Sequence, residues 1–259
     1  MVALLLAALA ASPAAAADRW QPDVAAAASW AAARAGTVAF AVRTEEGLVG
    51  RHLDRTFPSA SVVKAMLMVA YLRQRSVRDR PLRDADRALL GPMIRRSDNV
   101  AATRVRDIVG SGALTRLAHV AGMTRFRADP VWGRSSITAR DQTRFFLHID
   151  ARVPERHRAY AMCLLRTIVP SQRWGLARAI PAGWTLYFKG GWAAGTGAVD
   201  HHVGLLRQDG ERVAIAVLTV GNPDHAYGTA TEEGVARLLL RGLGGHLAGT
   251  AGTSVGSLP

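Results

Sequence analysis

The chain has 259 residues, of which 49% are apolar and 20% charged, with one cysteine and a net charge of +13. That composition is too apolar for a disordered protein and suits one large globular domain or two intimate ones. The lone Cys163 excludes an internal disulfide, a zinc ribbon and an iron–sulfur site, so stability rests on packing. The basic residues are scattered and no helix-turn-helix, zinc-finger or RNP pattern accompanies them, which argues against specific nucleic-acid binding. What the charge excess leaves open is electrostatic contact with an anionic cell-wall polymer.

Residues 1–17 combine an apolar stretch (Val2 to Ala11) with an alanine run ending Ala15-Ala16-Ala17 before Asp18, the pattern of a signal peptide with a small-residue cleavage site. The stretch lacks a basic n-region, and the plain alternative is a buried helix. A helix is expected from Asp23 to Arg34, then two short strands, Thr37 to Thr44 and Leu48 to Leu53, joined as a hairpin around Glu45-Glu46-Gly47. From Ser61 to about Arg166 the pattern is helical, with stops at Pro81, Gly91-Pro92, Gly110 to Gly112, Gly122 and Pro130. Strands return at Trp184 to Lys189, His202 to Leu206 and Val213 to Val220, and a helix follows from Thr231 to Arg241. The Gly/Ala/Ser/Thr-rich tail, 242–259, reads as disordered. Strands at both ends around a helical middle imply one antiparallel sheet (18–58 with 184–241) covered by the terminal helices, with a helical subdomain (59–183) inserted and a cleft between the two.

Of the 33 basic residues, 31 are arginines and two are lysines, Lys64 and Lys189. Where any cation would serve, this chain uses arginine, so these two positions call for an amine. Lysine, unlike arginine, loses its proton when desolvated and then acts as a base. Lys64 closes Ser61-Val62-Val63-Lys64 ahead of the strongest helical run, Ala65 to Arg75. At a helix start, residues three apart share a face, so the amine reaches the hydroxyl, and the apolar neighbours supply the desolvation that would activate it. Ser97-Asp98-Asn99 lies between two helical runs, and Lys189-Gly190-Gly191 closes a strand whose glycines let another backbone approach. Taken singly, the first two motifs read equally well as helix caps.

Together and in this order, S-x-x-K, S-D-N and K-x-G resemble the signature of class A β-lactamases and penicillin-binding proteins. The resemblance runs from about Val24 to Arg241 and is closest to secreted, β-lactamase-related serine hydrolases of actinobacteria. Its supporting stretches are Trp132-Gly133, Ile137 to Gln142, Gln172 to Gly175, Lys189 to Trp192, and Asn222-Pro223 with Ala226 to Gly228. It implies an α/β (α+β) fold of the β-lactamase/transpeptidase type, an antiparallel sheet flanked by terminal helices with an inserted all-helical subdomain. It further implies Ser61 as acyl-forming nucleophile, Lys64 as its base, Ser97 as proton relay, Asn99 as holder of a substrate amide, and Lys189 as support for Ser97 and attractor of a substrate carboxylate. The N–H groups of Ser61 and Trp192 would form an oxyanion hole beside Gly191. Asp98 would bond backbone within its own turn.

The pattern departs at three places. Asp129, in Arg127-Ala128-Asp129-Pro130-Val131-Trp132-Gly133, stands where the family carries a deacylating glutamate; it is the candidate deacylation carboxylate, though Asp before Pro is also a common turn starter. Gly190 lacks the hydroxyl of the family's Lys-Ser/Thr-Gly. The stretch from Lys64 to Ser97 is short, which removes a wall of the usual antibiotic pocket. His201-His202 begins a strand facing the lysine strand, so one ring, assigned to His202, contacts substrate; adjacent residues on opposite strand faces make a poor metal pair. Trp132, Trp174 and Trp192 either floor a groove or pack in the core, and Cys163 reads as a buried small hydrophobe.

These features predict a secreted, monomeric serine hydrolase without metal or cofactor, acting on a small-molecule or peptidoglycan-derived substrate through β-lactam or related amide bonds. The alternatives are a D-alanyl-D-alanine peptidase or penicillin-binding protein with slow deacylation, and a non-catalytic cell-wall-binding module.

Overall fold

Apolar residues crowd the strands at both ends of the chain, and in the structure those ends meet in one sheet. The computed structural model describes residues 20–193 and 198–244. Helix α1 (Val24–Ala32) leads into strands β1 (Thr37–Arg43), β2 (Leu48–Arg51) and β3 (Phe57–Pro58). Helices α2 (Lys64–Leu72), α3 (Arg75–Arg78), α4 (Asp84–Arg95), α5 (Asn99–Val109) and α6 (Ser111–Val120) follow. After strand β4 (Ser136–Ile137) come helices α7 (Ala139–Leu147), α8 (Ile149–Arg152) and α9 (Glu155–Arg166). Strands β5 (Thr185–Ala193), β6 (Ala198–Gln208) and β7 (Glu211–Asn222) precede the last helix, α10 (His225–Leu239).

The main sheet has the order β2-β1-β7-β6-β5 and is antiparallel throughout, while β3 and β4 form a separate pair. The inner strands are buried along almost their whole length, because α1 and α10 cover one face and α7 the other. Such strands read as near-continuous apolar runs, as Val213 to Val217 does. Helix α2 is the axis of the helical block: all nine of its residues are buried, with α4, α5, α6 and α9 around it. One end of α2 therefore abuts β5, the edge strand, through the 3-10 turn Ala60–Val63. The cleft between sheet and helices opens there.

Local chemistry sets the helix ends. The Asp23 carboxylate accepts from the Ala26 N–H and starts α1, and Thr138 and Asp98 cap α7 and α5 in the same way. Several boundaries differ from the sequence expectation. Helix α4 runs through Gly91-Pro92 instead of stopping, because the proline falls in its last turn and Leu90, Met93 and Ile94 are wholly buried. Helix α10 begins at His225 rather than Thr231, since the Asp224 carboxylate accepts from the Tyr227 N–H and caps it. Strands β5, β6 and β7 each extend beyond their expected limits through edge residues of mixed polarity. Cys163 is exposed, not buried: the turns of α9 send Ala161, Met162, Leu164 and Leu165 inward and leave it outside. Leu243 is packed in the core, so the packed chain passes the expected boundary at 242. The proposed leader at 1–17 and the tail from 245 onward lie outside the described residues.

The two terminal helices touch through a glycine. A Cβ at Gly234 of α10 would overlap the Trp30 indole, whose Nε1 donates to the Thr231 carbonyl. Gly234→Ala gains about 1 kcal/mol of helix propensity but overpacks this contact by ~1–3 kcal/mol. The variant should therefore melt several degrees lower than the parent in a thermal unfolding scan, and not higher as propensity alone would have it.

Candidate active site

Three segments converge at the α2 end of the cleft. Ser61 sits in the turn ahead of α2, preceded by Ala60 at φ 43°, a left-handed geometry that turns the chain sharply into the helix. Lys64, the first residue of α2, is wholly buried. Ser97, between α4 and α5, also takes a left-handed backbone (φ 59°), which aims both its carbonyl and its hydroxyl at the lysine. Lys64 Nζ donates to the Ser97 carbonyl at 2.5 Å and to Asn99 Oδ1 at 2.7 Å, and stands 3.2 Å from Ser97 Oγ. From β5, Lys189 Nζ reaches the same Ser97 Oγ at 3.1 Å and its own strand's Gly190 carbonyl at 2.7 Å. The Ser61 hydroxyl, 8% exposed, makes no hydrogen bond among the described residues, so the expected direct bond from Lys64 is not formed.

Burial sets the protonation of both amines. It draws Lys64 down to about 7, against the opposing pull of the Asp98 carboxylate. Lys189 is held well below the ordinary lysine range, first by burial and then by the charge of Lys64. A neutral Lys64 has two N–H bonds and one lone pair. The carbonyl of Ser97 and the amide oxygen of Asn99 take the two hydrogens, and the lone pair is left for the Ser97 O–H. Ser97 is then a two-way hydroxyl, donating toward one amine while accepting from the other. Asn99, its oxygen occupied, keeps its amide hydrogens for an acceptor in the cleft.

The glycines of β5 fit the strand to two neighbours. A Cβ at Gly191 would lie 2.8 Å from the Ser61 nitrogen and 2.9 Å from that of Val62, so only glycine brings this edge against the Ser61 backbone. Gly190 faces the opposite side of the strand, where a Cβ would stand 2.9 Å from His202 Nε2. His202 is wholly buried, its ring tilted by 46° against that of Trp174 with centroids 4.1 Å apart, and its Nδ1 lies 3.1 Å from Glu232 Oε2. It backs the strand rather than lining the open cleft. Burial raises the Glu232 carboxyl and lowers the His202 imidazole, and so favours the uncharged form of both. The imidazole fills the space that a side chain at 190 would occupy, which is why the usual hydroxyl is absent there.

The remaining candidates separate. Trp192 is 38% exposed at the rim, edge-on to Trp174. Beside them His225 Nδ1 lies 2.5 Å from Asp200 Oδ1, an acid–histidine pair that sequence reasoning missed along with Glu232. Their partners lie 25 and 30 residues apart, and only the alternation placing Asp200 and His202 on one strand face hinted at them. The Lys64 nitrogen lies over the Trp132 ring, 4.7 Å from its centroid. Asp129 spends one carboxylate oxygen on the Val131 N–H at 2.7 Å, closing a turn within its own loop. Asp98 caps α5, and His201 is tied to the Pro58 carbonyl. Among the described residues no three His, Cys, Asp or Glu side chains converge as a metal ion would need.

Residues 86–243, more than half of the chain and including Ser97 and Lys189, match the beta-lactamase enzyme family. The chain belongs to that family. Its fold is that of solved class A enzymes, at identities too low to carry more than fold. The beta-lactamase from Sphaerobacter thermophilus is 23% identical, the alignment covering 86% of this chain and 97% of that one with a TM-score of 0.71. The class A beta-lactamase from Mycobacterium abscessus is 21% identical over 86% and 99% of the two chains, with a TM-score of 0.72. A beta lactamase from Xanthomonas campestris is 18% identical over 85% and 96%, also with a TM-score of 0.72. No curated protein matches the sequence significantly. The protein is thus a serine β-lactamase-like hydrolase with a small-molecule substrate.

Two outcomes follow for this beta-lactamase-family hydrolase. Gly191→Ala pushes β5 off the Ser61 turn, and a displacement of about an ångström should slow acylation on the order of a hundredfold, with a melting temperature several degrees lower because the added Cβ meets backbone. If Lys64 accepts the proton, it does so only when neutral, so acylation should rise about tenfold between about pH 6 and pH 8, following the titration of one group. Rates of covalent labelling by a penicillin, followed by intact-protein mass, check both.

Proposed function

We propose that the protein is a secreted hydrolase that opens β-lactam or related amide bonds through an acyl-enzyme on Ser61, and that it releases the acyl group slowly. The observation that carries the reading is the Ser97 hydroxyl shared between the two lysine amines in a buried pocket. In the acylation step the Ser61 proton passes to Lys64, directly or through Ser97, while Oγ bonds to the carbonyl carbon. Ser97 then hands a proton to the departing nitrogen as the C–N bond breaks, and Lys64 restores it. The free amide hydrogens of Asn99 suit a substrate carbonyl. The backbone of Ser61, packed against Gly191, suits an oxyanion.

The slow half rests on Asp129. A deacylating water needs a carboxylate aimed at it, and this one is committed to its own turn, one methylene shorter than glutamate. That favours a penicillin-binding or peptidase-like enzyme over a fast lactamase. Secretion is supported by the leader-like residues 1–17.

The test is the intact mass of the protein from Asp18 onward, followed over time after mixing with a penicillin. A stoichiometric adduct lasting hours is expected, and none in Ser61→Ala. Asp129→Asn, which keeps the turn, should leave the adduct's lifetime within about threefold of the parent, because the carboxylate is not the base. An adduct that survives Ser61→Ala would refute the nucleophile assignment. Rapid loss with the antibiotic consumed, slowed a hundredfold by Asp129→Asn, would refute slow release.

A further inference from the structure

At the far end of α2 from Ser61, about 13 Å along the helix, a second cleft of about 550 Å³ opens between the end of α2, α3 and α6. Its floor is apolar, Ala70 and Leu117, and its walls carry four guanidinium groups, those of Arg73, Arg75, Arg78 and Arg116. No aspartate or glutamate lines it. Elsewhere this chain couples arginines to carboxylates, as in Arg80 with Asp86, Arg140 with Asp54, and Arg212 with Asp150. Here the balance is different. Arg78 alone has an acidic partner, its exposed neighbour Asp79, and Arg73 donates to the Arg152 carbonyl. The side chains of Arg75 and Arg116 make no hydrogen bond or ion pair among the described residues.

Four like charges around one concavity repel one another. The geometry is set by helix periodicity: Arg75 and Arg78 lie one turn apart on one face of α3, and Arg116 projects from α6. A guanidinium fork matches tetrahedral oxyanions two bonds at a time, and four forks call for several negative charges on one ligand. The volume exceeds what a single phosphate fills.

We propose that this cleft is a second binding site, separate from the Ser61 pocket, for a ligand bearing two or more phosphate groups. Free oligophosphates and phosphodiester polymers share that chemistry. The apolar floor seats the ligand's linking atoms while the arginines bracket its phosphates.

The experiment is isothermal titration at about 0.15 M salt, where nonspecific attraction is largely screened. Separate arms use tripolyphosphate, a short poly(glycerol phosphate), and tricarballylate as a carboxylate anion. Arg75→Glu/Arg116→Glu is compared with Arg55→Glu/Arg156→Glu, which makes the same change in net charge at exposed positions elsewhere. Melting temperatures verify that both variants fold. Saturable 1:1 binding of tripolyphosphate or of the phosphodiester is expected, weakened at least about tenfold in the first variant and less than about twofold in the second. The arm that binds more tightly identifies the source. Equal loss in both variants, equal affinity for tricarballylate, or no saturable binding of either phosphate ligand would overturn the proposal. None of these outcomes bears on Ser61.

Discussion

Two lysine amines share one serine hydroxyl, and this is the constraint around which the site is built. With both nitrogens within about 3 Å of Ser97 Oγ they stand no more than about 6 Å apart, where two full charges at an effective dielectric of ~20 repel by about 3 kcal/mol. Both are buried, so solvent does little to screen them. The economical state is one in which at least one amine is neutral, and a neutral amine is a base. Arginine cannot fill this role, because it keeps its proton under the same pressure. The two lysines in a chain of 31 arginines are thus explained by one electrostatic demand.

Holding that arrangement shapes the surrounding structure. Lys64 can be desolvated only because α2 is buried along its length, which requires the helical block to wrap it. Ser97 can present two oxygens to one nitrogen only in a left-handed backbone, a strain of order 1–3 kcal/mol that the Asp98 cap and the lysine bonds offset. Lys189 can reach the same hydroxyl only if β5 lies close against the Ser61 turn, and that approach demands Gly191. The sheet, covered on both faces, is the rigid side of the cleft.

Much of this was legible in the sequence because it rests on local rules. The hairpin of β1 and β2, the start of α1 at Asp23 and the cap at Asp98 follow from turn chemistry and periodicity, and the lysines stood out against an arginine background. What was hidden depends on contacts between distant residues. Nothing near Pro92 signals that α4 outlasts it; the burial of Met93 and Ile94 against other helices decides that. Glu232 is an ordinary helical glutamate until β6 brings His202 beside it. Gly190 read as a missing hydroxyl, whereas it is the empty half of a steric exchange with an imidazole twelve positions further along the chain but adjacent across the strands.

That exchange bears on what the two faces of β5 can each contribute. On one side of β5 the Ser61 turn, the two buried amines and the Ser97 hydroxyl they share are drawn together. The side of β5 facing away from Ser61 is built from other parts: His202 with Glu232 behind the strand, His225 with Asp200 at the rim, and Trp174 and Trp192 between them. Behind the strand the Trp174 ring and the buried His202–Glu232 pair, with the uncharged form of each favoured, present no charge to the reaction. Asp129, closed into its own turn, offers no replacement. On the function proposed above, a site that lacks an aimed base forms the acyl bond faster than it hydrolyses it.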